Sequence, residues 1–293
     1  MEITAPAKVN LYLKVLAKRP DGYHEIETLF EKIALSDKLQ VDLAEGPSLI
    51  TCSDPEVPVA KDSLLMKVID KFQESACIKQ SFRVHLEKHI PIGAGLGGAS
   101  SDSAALLKAM NILTGSKLNI KKLAKITDSV GSDVTFFLYN ANFAIGRGRG
   151  EIIKEVKSDL IMWHILINPP FKVLTRDVYS KIKEVQPLSL TKKVAVDRMF
   201  SAFLGKKDIE GISGNLFNDL EGITVGDFPI LKDVLLSMKK SGAKGVLMSG
   251  SGSTVYGIFG EKEVFEAEKK LKQEYPEAKG WRVFVASTYQ ARG

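Results

Sequence analysis

Apolar and polar residues alternate from the start of the chain. Val9, Leu11, Leu13 and Val15 fall on one face and Lys8, Asn10, Tyr12 and Lys14 on the other, which predicts a strand over residues 3–17. Lysines on such a strand ordinarily solvate its outer face; beside a phosphate-binding loop, the same polar groups would be placed for chemistry. Arg19-Pro20-Asp21-Gly22 reads as a tight turn, because proline pre-sets φ and glycine takes the positive φ. It delivers Tyr23-His24-Glu25 into a second strand that runs on through Leu29, Phe30 and Ile33. Residues 46–59, rich in proline, predict an irregular hairpin. Asp62-Ser63 caps a helix with Leu65, Val68, Ile69 and Phe72 on one face, and Phe82-Arg83-Val84-His85-Leu86-Glu87 returns to strand alternation. Ser101-Asp102-Ser103 then opens a helix with Ala104, Leu107 and Met110 on one face, stopped at Gly115.

Asn119 caps a helix through Leu123, Ile126 and Val130. Gly131-Ser132-Asp133-Val134 restarts a short one in which spacing alone makes Asp133 a cap. Residues 141–145 form a strand, followed by the turn Gly146-Arg147-Gly148-Arg149-Gly150, whose arginines meet solvent or ligand phosphates. The second half opens with an apolar strand over 160–167 that Asn168-Pro169-Pro170 breaks. Thr175 starts a helix through Val178, Ile182 and Val185. Further helices are expected over 191–204, near 213–221 and over 229–240. Strand, small-residue turn (Ser249-Gly250-Ser251-Gly252-Ser253) and strand follow, then a helix over 264–275 and a strand over 281–286. The domain boundary is expected near 155–160, giving domains 1–157 and 158–293.

Between the alternating strand at 82–87 and the helix after it lies Pro91-Ile92-Gly93-Ala94-Gly95-Leu96-Gly97-Gly98-Ala99-Ser100-Ser101. Glycines without a Cβ let backbone N–H groups close on an anion, and the following helix N-terminus adds partial positive charge. The stretch predicts a phosphate cradle. It has no G-x-x-x-x-G-K-[ST], which excludes a Walker loop. Gly93-x-Gly95-x-x-Gly98 matches the dinucleotide fingerprint, but the preceding strand alternates and no carboxylate stands about twenty positions on, at Leu118-Asn119. A Rossmann enzyme is the runner-up. No H-R-D or D-F-G marks a protein kinase, and no G-x-S-x-G elbow a serine hydrolase.

Composition narrows this little further. The 293 residues suffice for two domains, and 44% hydrophobic with 26% charged residues is globular composition. A net charge of +6 suits anionic ligands without separating nucleotides from nucleic acid. The cysteines, Cys52 and Cys77, have no C-x-x-C spacing, and the four histidines form no ligand cluster. No signal-peptide core or membrane span is apparent, so a cytoplasmic protein is expected. The single G-R-G-R-G copy lacks the aromatic interleaving of an RNA-binding segment.

Three motifs together carry a resemblance. Ala5-Pro6-Ala7-Lys8-Val9-Asn10-Leu11, the 91–101 loop, and Leu247-Met248-Ser249-Gly250-Ser251-Gly252-Ser253 resemble, in order and spacing, those of the GHMP kinase superfamily. Arg19-Pro20-Asp21-Gly22-Tyr23-His24 and Gly131-Ser132-Asp133-Val134 are similar to the branch that phosphorylates a cytidine-diphosphate-linked methylerythritol for isoprenoid synthesis. The resemblance implies an α+β fold of two domains, the first like ribosomal protein S5 domain 2 and the second ferredoxin-like. It implies ATP as phosphoryl donor with Mg2+, and a small-molecule cytidine diphosphate substrate. No nucleic acid or membrane partner is expected, and the protein is expected to be a monomer or homodimer. Residues 91–101 would bind ATP; Asp133 would be the base and Lys8 its partner; Asn10, Tyr23, His24, Thr175 and Tyr179 would hold the substrate. The family's usual proline after G-x-D-V is Thr135 here. Two rivals remain: a sibling kinase acting on mevalonate, homoserine or a sugar, and a non-catalytic RNA-binding module of S5-like fold.

Overall fold

The alternation at the N-terminus becomes a 17-residue strand, β1 (Glu2–Lys18), in a computed structural model of the protein, which describes residues 1–127, 130–182 and 190–290. Then come β2 (His24–Ala44), β3 (Leu49–Cys52), α1 (Leu64–Ala76), β4 (Ser81–Glu87), α2 (Gly98–Leu113), α3 (Ile120–Thr127) and α4 (Val134–Leu138). The chain continues with β5 (Phe143–Gly148), β6 (Ile152–Val156), β7 (Trp163–Asn168), α5 (Thr175–Ser180), α6 (Leu190–Lys206) and α7 (Ile209–Ser213). It closes with β8 (Phe217–Asn218), α8 (Glu221–Asp227), α9 (Ile230–Lys240), β9 (Gly245–Met248), β10 (Val255–Phe259), α10 (Val264–Glu274) and β11 (Arg282–Ser287).

These elements fall into two compact units. The first comprises Met1–Ala7, Ser36–Ile92 and Gly97–Asn140. In it, residues 38–44 of β2 pair antiparallel with β4, and β3 pairs with β4 in parallel. Residues 46–59 are therefore not a hairpin: β3 lies beside a strand that follows it by a whole helix, so a turn-rich composition concealed a crossover. The alternation of β4 buries Phe82, Val84 and Leu86, and Phe82 meets Phe72 of α1 edge-on at 6.3 Å. Ser63 caps α1 as expected, accepting the Met66 N–H at 3.3 Å. Asn119 Oδ1 likewise accepts the Lys122 N–H at 3.0 Å at the start of α3.

Helix α2 departs from its expected start. It begins at Gly98 with Gly97 as its N-cap, so Ser101, Asp102 and Ser103 are buried inside the helix rather than capping it. Packing against both α1 and α4 buries it on nearly every side, and its small residues permit that closeness.

The second unit comprises Lys8–Leu35, Gly93–Leu96 and Ala141–Gly293. Residues 26–31 of β2 pair antiparallel with β5, and β5 with β6. A four-stranded antiparallel sheet has the order β11-β7-β10-β9, with α9 on β9 and β10 and α10 on β7 and β11. That is the ferredoxin-like arrangement; a doubly wound parallel sheet, which the Rossmann reading requires, is not what forms. Its core gathers Ile165, Ile167, Leu231, Val234, Met238, Val255, Phe259 and Leu271. Among the described residues no helix is long and apolar enough to cross a membrane.

Three more expectations are corrected here. Helix α5 stops at Ser180, and Val185 lies outside the described residues. The helix expected near 213–221 is instead the end of α7, the strand β8 and the start of α8, with Tyr12↔Phe217 and Leu13↔Asn218 in parallel register. Two paired residues carry too little pattern to be read from sequence. The G-R-G-R-G run is half strand, and Arg147 is committed to protein carboxylates, 3.1 Å from Glu27 Oε1 and 2.6 Å from Asp197 Oδ1.

Asn218 explains why so short a strand forms. Its Nδ2 donates to Met248 O at 2.8 Å and Gly250 O at 2.7 Å, and its Oδ1 accepts the Leu220 N–H at 2.9 Å. Asn218→Ala leaves three buried backbone groups without these partners and is expected to cost about 2–4 kcal/mol of unfolding free energy in urea titration. A loss near zero would show that β8 is held by packing alone.

Candidate active site

Lys8 and Asn10 sit on the polar face of β1, yet neither is solvated: they are 4% and 1% exposed. Removing a lysine from water is costly unless the ammonium is held. Lys8 Nζ donates to Asn10 Oδ1 at 2.5 Å and lies 5.5 Å from the Phe30 ring centroid. Asn10 is fixed in turn, its Nδ2 donating to Thr28 Oγ1 at 2.7 Å, while the buried Tyr256 hydroxyl donates to Asn10 O at 2.9 Å. The solvated outer face expected for Lys8 is therefore wrong. Lys14 keeps that character better, half-exposed and paired with Asp219 at 3.1 Å.

Two glycine turns close on this strand. Lys8 N–H donates to Leu96 O at 2.9 Å, Ser249 Oγ to Gly95 O at 2.9 Å, and Thr254 N–H to Ala94 O at 3.3 Å. Gly95, at φ +75°, admits no side chain: a Cβ there would stand 2.1 Å from Ser249 O. Gly250, at φ +57°, shows where the site converges. A Cβ on it would stand 3.4 Å from Asn10 Oδ1, 3.4 Å from Gly95 O and 3.5 Å from Lys8 Nζ. The atoms nearest that point are one ammonium and two oxygen acceptors, so the donor offered over Gly250 is the Lys8 ammonium. Thr175 Oγ1 joins at the rim, 2.9 Å from Ser251 Oγ.

His24 lies 5.3 Å from Tyr179 with the rings tilted by 33°, whereas Tyr23, 55% exposed, has the Arg149 guanidinium 4.9 Å from its ring. One face of Tyr23 is therefore taken and the other is available for stacking. Burial first, and the Lys18 charge second, lower the His24 pKa. The imidazole is consequently neutral at pH 7, with one donor and one acceptor nitrogen. The turn before it forms as read: Gly22 takes φ +84° and Arg19 N–H donates to Tyr23 O at 2.8 Å.

In the other unit, Gly97 at φ +70° turns the chain into α2, whose first N–H groups make the helix end expected of a phosphate cradle. The Ser101 hydroxyl is buried there without a hydrogen-bond partner among the described residues. Below this turn is a charge cluster that the sequence did not disclose. Lys88 Nζ bridges Asp37 and Asp102, the latter at 2.9 Å, and Asp37 Oδ1 accepts the His89 and Ile90 N–H groups at 2.6 and 2.8 Å. A Cβ on Gly98 would stand 2.9 Å from Lys88 Nζ, so the cluster packs directly under the helix start. Asp133 is half-buried at the N-terminus of α4 and makes no side-chain capping bond, against the capping role that its spacing suggests. Thr135 Oγ1 lies 2.6 Å from Thr127 Oγ1, tying α4 to α3.

The GHMP kinases N terminal domain profile matches residues 63–141, and the GHMP kinases C terminal profile matches residues 201–277. A 4-diphosphocytidyl-2-C-methyl-D-erythritol kinase of Shouchella clausii is 36% identical over 291 residues, 99% of this chain and 93% of the relative. A crystal structure of 4-(cytidine 5'-diphospho)-2C-methyl-D-erythritol kinase aligns with a TM-score of 0.80 at 32% identity, over 99% of this chain and 100% of that one. A homoserine kinase structure from Cytophaga hutchinsonii aligns with a TM-score of 0.76 over 99% and 94% of the two chains; at 20% identity it shares the fold alone.

The cluster under α2 generates a pH prediction. Burial, with the Asp37 charge adding and Lys88 opposing, pushes the Asp102 carboxyl up to about 8. The folded state then keeps a proton that the unfolded chain loses near the ordinary carboxylate range, so the stability from this group is full in acid and is lost as pH rises towards 8. One proton gives a slope of up to about 1.4 kcal/mol per pH unit. Asp102→Asn should flatten the fall in urea stability between pH 5 and pH 8. Equal slopes in both proteins would show that Asp102 ionises in the ordinary carboxylate range.

Proposed function

The chain belongs to the GHMP kinase family, and from that premise we propose that it transfers the γ-phosphoryl group of ATP to the 2-hydroxyl of 4-(cytidine 5'-diphospho)-2-C-methyl-D-erythritol, in the non-mevalonate route to isoprenoid precursors. The observation that carries the reading is the buried Lys8 ammonium, locked to Asn10 and held over Gly250 between two glycine turns. A buried cation held among oxygen acceptors is costly to assemble and has an evident use in meeting phosphate oxygens.

Phosphoryl transfer asks the protein for in-line positioning, cancellation of charge and an acceptor for the hydroxyl proton. The backbone amides of residues 93–101 and the start of α2 are proposed to hold the ATP phosphates. Lys8 is proposed to stabilise charge on the transferred group, and Asp133 to take the proton, a role supported by a carboxylate that is not used as a cap. Asn10 and Thr175 are proposed to meet the polar parts of the substrate. Mg2+ is proposed to be carried on the nucleotide phosphates rather than in a protein cage. Bound there, the ion would offset phosphate charge.

ADP release from ATP over a panel of the cytidyl substrate, mevalonate and homoserine tests the reading. Turnover is expected with the cytidyl compound alone, and Asp133→Asn is expected to lower kcat by at least about a hundredfold with ATP binding nearly kept. Turnover with another alcohol would move the chain to a sibling activity, and none with any acceptor would point to a non-catalytic role.

The base-binding residues give a second test. Stacking tolerates any base, at about 1–3 kcal/mol each, so discrimination falls to hydrogen bonds. A neutral His24 can accept from the cytosine amino group, and a site built for a polar edge rejects the wrong one. The uridyl analogue should therefore be a poor substrate. His24→Ala should narrow the gap between the two compounds, and Tyr23→Ala should weaken both alike. Equal kcat/KM for both with wild-type enzyme would remove His24 from base reading.

A further inference from the structure

Two of the five residues in the Ser249-Gly250-Ser251-Gly252-Ser253 turn are glycines, with no side chain to anchor the backbone. A Cβ on Gly250 would nevertheless stand only 3.5 Å from Lys8 Nζ, so the shape of the turn decides what faces that ammonium. Residues 217–227 restrain the turn and the lysine strand together. At the start of this segment, β8 pairs in parallel with β1, setting Tyr12 opposite Phe217 and Leu13 opposite Asn218. Asp219 extends the pairing. Its N–H donates to Leu13 O at 3.0 Å, and its Oδ2 accepts the Val15 N–H at 2.8 Å.

The same segment then grips the turn. Asn218 Nδ2 donates to Met248 O and Gly250 O. Glu221 Oε2 accepts the Met248 N–H at 2.8 Å, and Thr224 Oγ1 donates to Ser251 O at 3.2 Å. Glu221 and Thr224 stand three apart on α8, which puts both on one face of the helix. Thr224 is fully buried, and a Cβ on Gly252 would stand 3.4 Å from its methyl group, so the approach is close as well as hydrogen-bonded. Three side chains of one segment therefore hold the backbone of Met248, Gly250 and Ser251. The other end of that segment is paired with the strand that carries Lys8 and Asn10. It forms a splint between the cation and the turn that faces it.

We propose that Glu221 and Thr224 are positioning residues for phosphoryl transfer: by fixing the backbone of Met248 and Ser251 to the segment paired with β1, they set the spacing between Lys8 and the Gly250 turn. Neither belongs to the three glycine and lysine motifs, and both act through the backbone they hold. The proposal rests on the reading that Lys8 stabilises charge on the transferred group. A small displacement caused far from the chemistry can cost up to about a hundredfold in rate. Charge on the transferred group develops in the transition state, so the loss belongs in kcat rather than in KM.

Steady-state kinetics of the full chain with ATP and the cytidyl substrate, for wild type, Glu221→Ala, Glu221→Gln and Thr224→Val, test it, with the folded fraction of each read by circular dichroism. Glu221→Ala should lower kcat about tenfold per folded molecule while both KM values stay within about threefold of wild type. Glutamine still offers an oxygen to the Met248 N–H, so Glu221→Gln should recover most of the loss. Valine keeps the shape of Thr224 without its hydroxyl, and Thr224→Val should lower kcat about threefold. Wild-type kcat per folded molecule in Glu221→Ala and Thr224→Val would overturn the proposal. A loss confined to KM would do the same, as would one in Glu221→Gln as large as in Glu221→Ala. If Glu221→Ala does not fold, the kcat of Thr224→Val decides alone. Wild-type protein that turns over no acceptor would overturn the kinase reading, and the proposal with it.

Discussion

The contact on which the second unit depends is the one that leaves Gly95 no room for a side chain. Ser249 O would lie 2.1 Å from a Cβ on Gly95, and Ser249 Oγ donates to Gly95 O from the same neighbourhood. Two turns far apart in sequence are pressed backbone to backbone, and the Lys8 N–H fastens β1 to Leu96 beside them. Glycine is required here by proximity as well as by its φ. Because backbone meets backbone, the geometry of the spot over Gly250 is set by groups with few alternative positions. A site made of hydrogen-bonded backbone holds its shape before a ligand arrives, which is where electrostatic stabilisation is most effective.

Buried charge is the second constraint, and it appears in both units. Lys8 is enclosed with Asn10 in one, and Lys88 with Asp37 and Asp102 in the other. Such groups are poor stabilisers, because desolvation can exceed the Coulombic gain. Their recurrence on the polar face of β1 and under the start of α2 is better explained by positioning. A third buried pair, His164 with Glu31 at 3.1 Å, receives a hydroxyl from Thr288 at 2.6 Å and sits edge-on to Tyr256, whose own hydroxyl holds Asn10 O. The strand that bears Lys8 and Asn10 is therefore supported through Tyr256 from the ferredoxin-like sheet behind it.

What the sequence disclosed follows from how local each feature is. β1, β4, the cap at Ser63 and the turn at Gly22 depend on neighbours within a few residues, and each forms as read. The partner of β3, the two-residue β8 and the burial of Lys8 depend on residues tens to hundreds of positions away, where periodicity carries nothing. The tight turns of the glycine loop were legible because glycine spacing is a direct record of backbone demand, met at Gly93, Gly95 and Gly97 by positive φ. The bracing beneath it was not, since Asp37 and Lys88 lie 51 residues apart and each alone looks like a surface charge.

Fold and motif also carry different weight in the argument about function. The homoserine kinase neighbour has nearly the same backbone at 20% identity, so architecture cannot select the acceptor. Selection has to rest on side chains, and Tyr23, His24 and Tyr179 are the ones proposed for it. Thr135 illustrates how such local chemistry tolerates change. Where the family usually has a proline to stiffen the chain after Asp133, this protein has a threonine whose hydroxyl meets Thr127 in the buried interior, at 2.6 Å. A ring that fixes φ is exchanged for a hydrogen bond between helices, and the neutral pair satisfies both hydroxyls without introducing charge. The constraint on the first turn of α4, and so on the backbone of Asp133, is then tertiary instead of covalent. It holds only as firmly as α3 is packed, which couples the pose of the proposed base to the order of the helix before it.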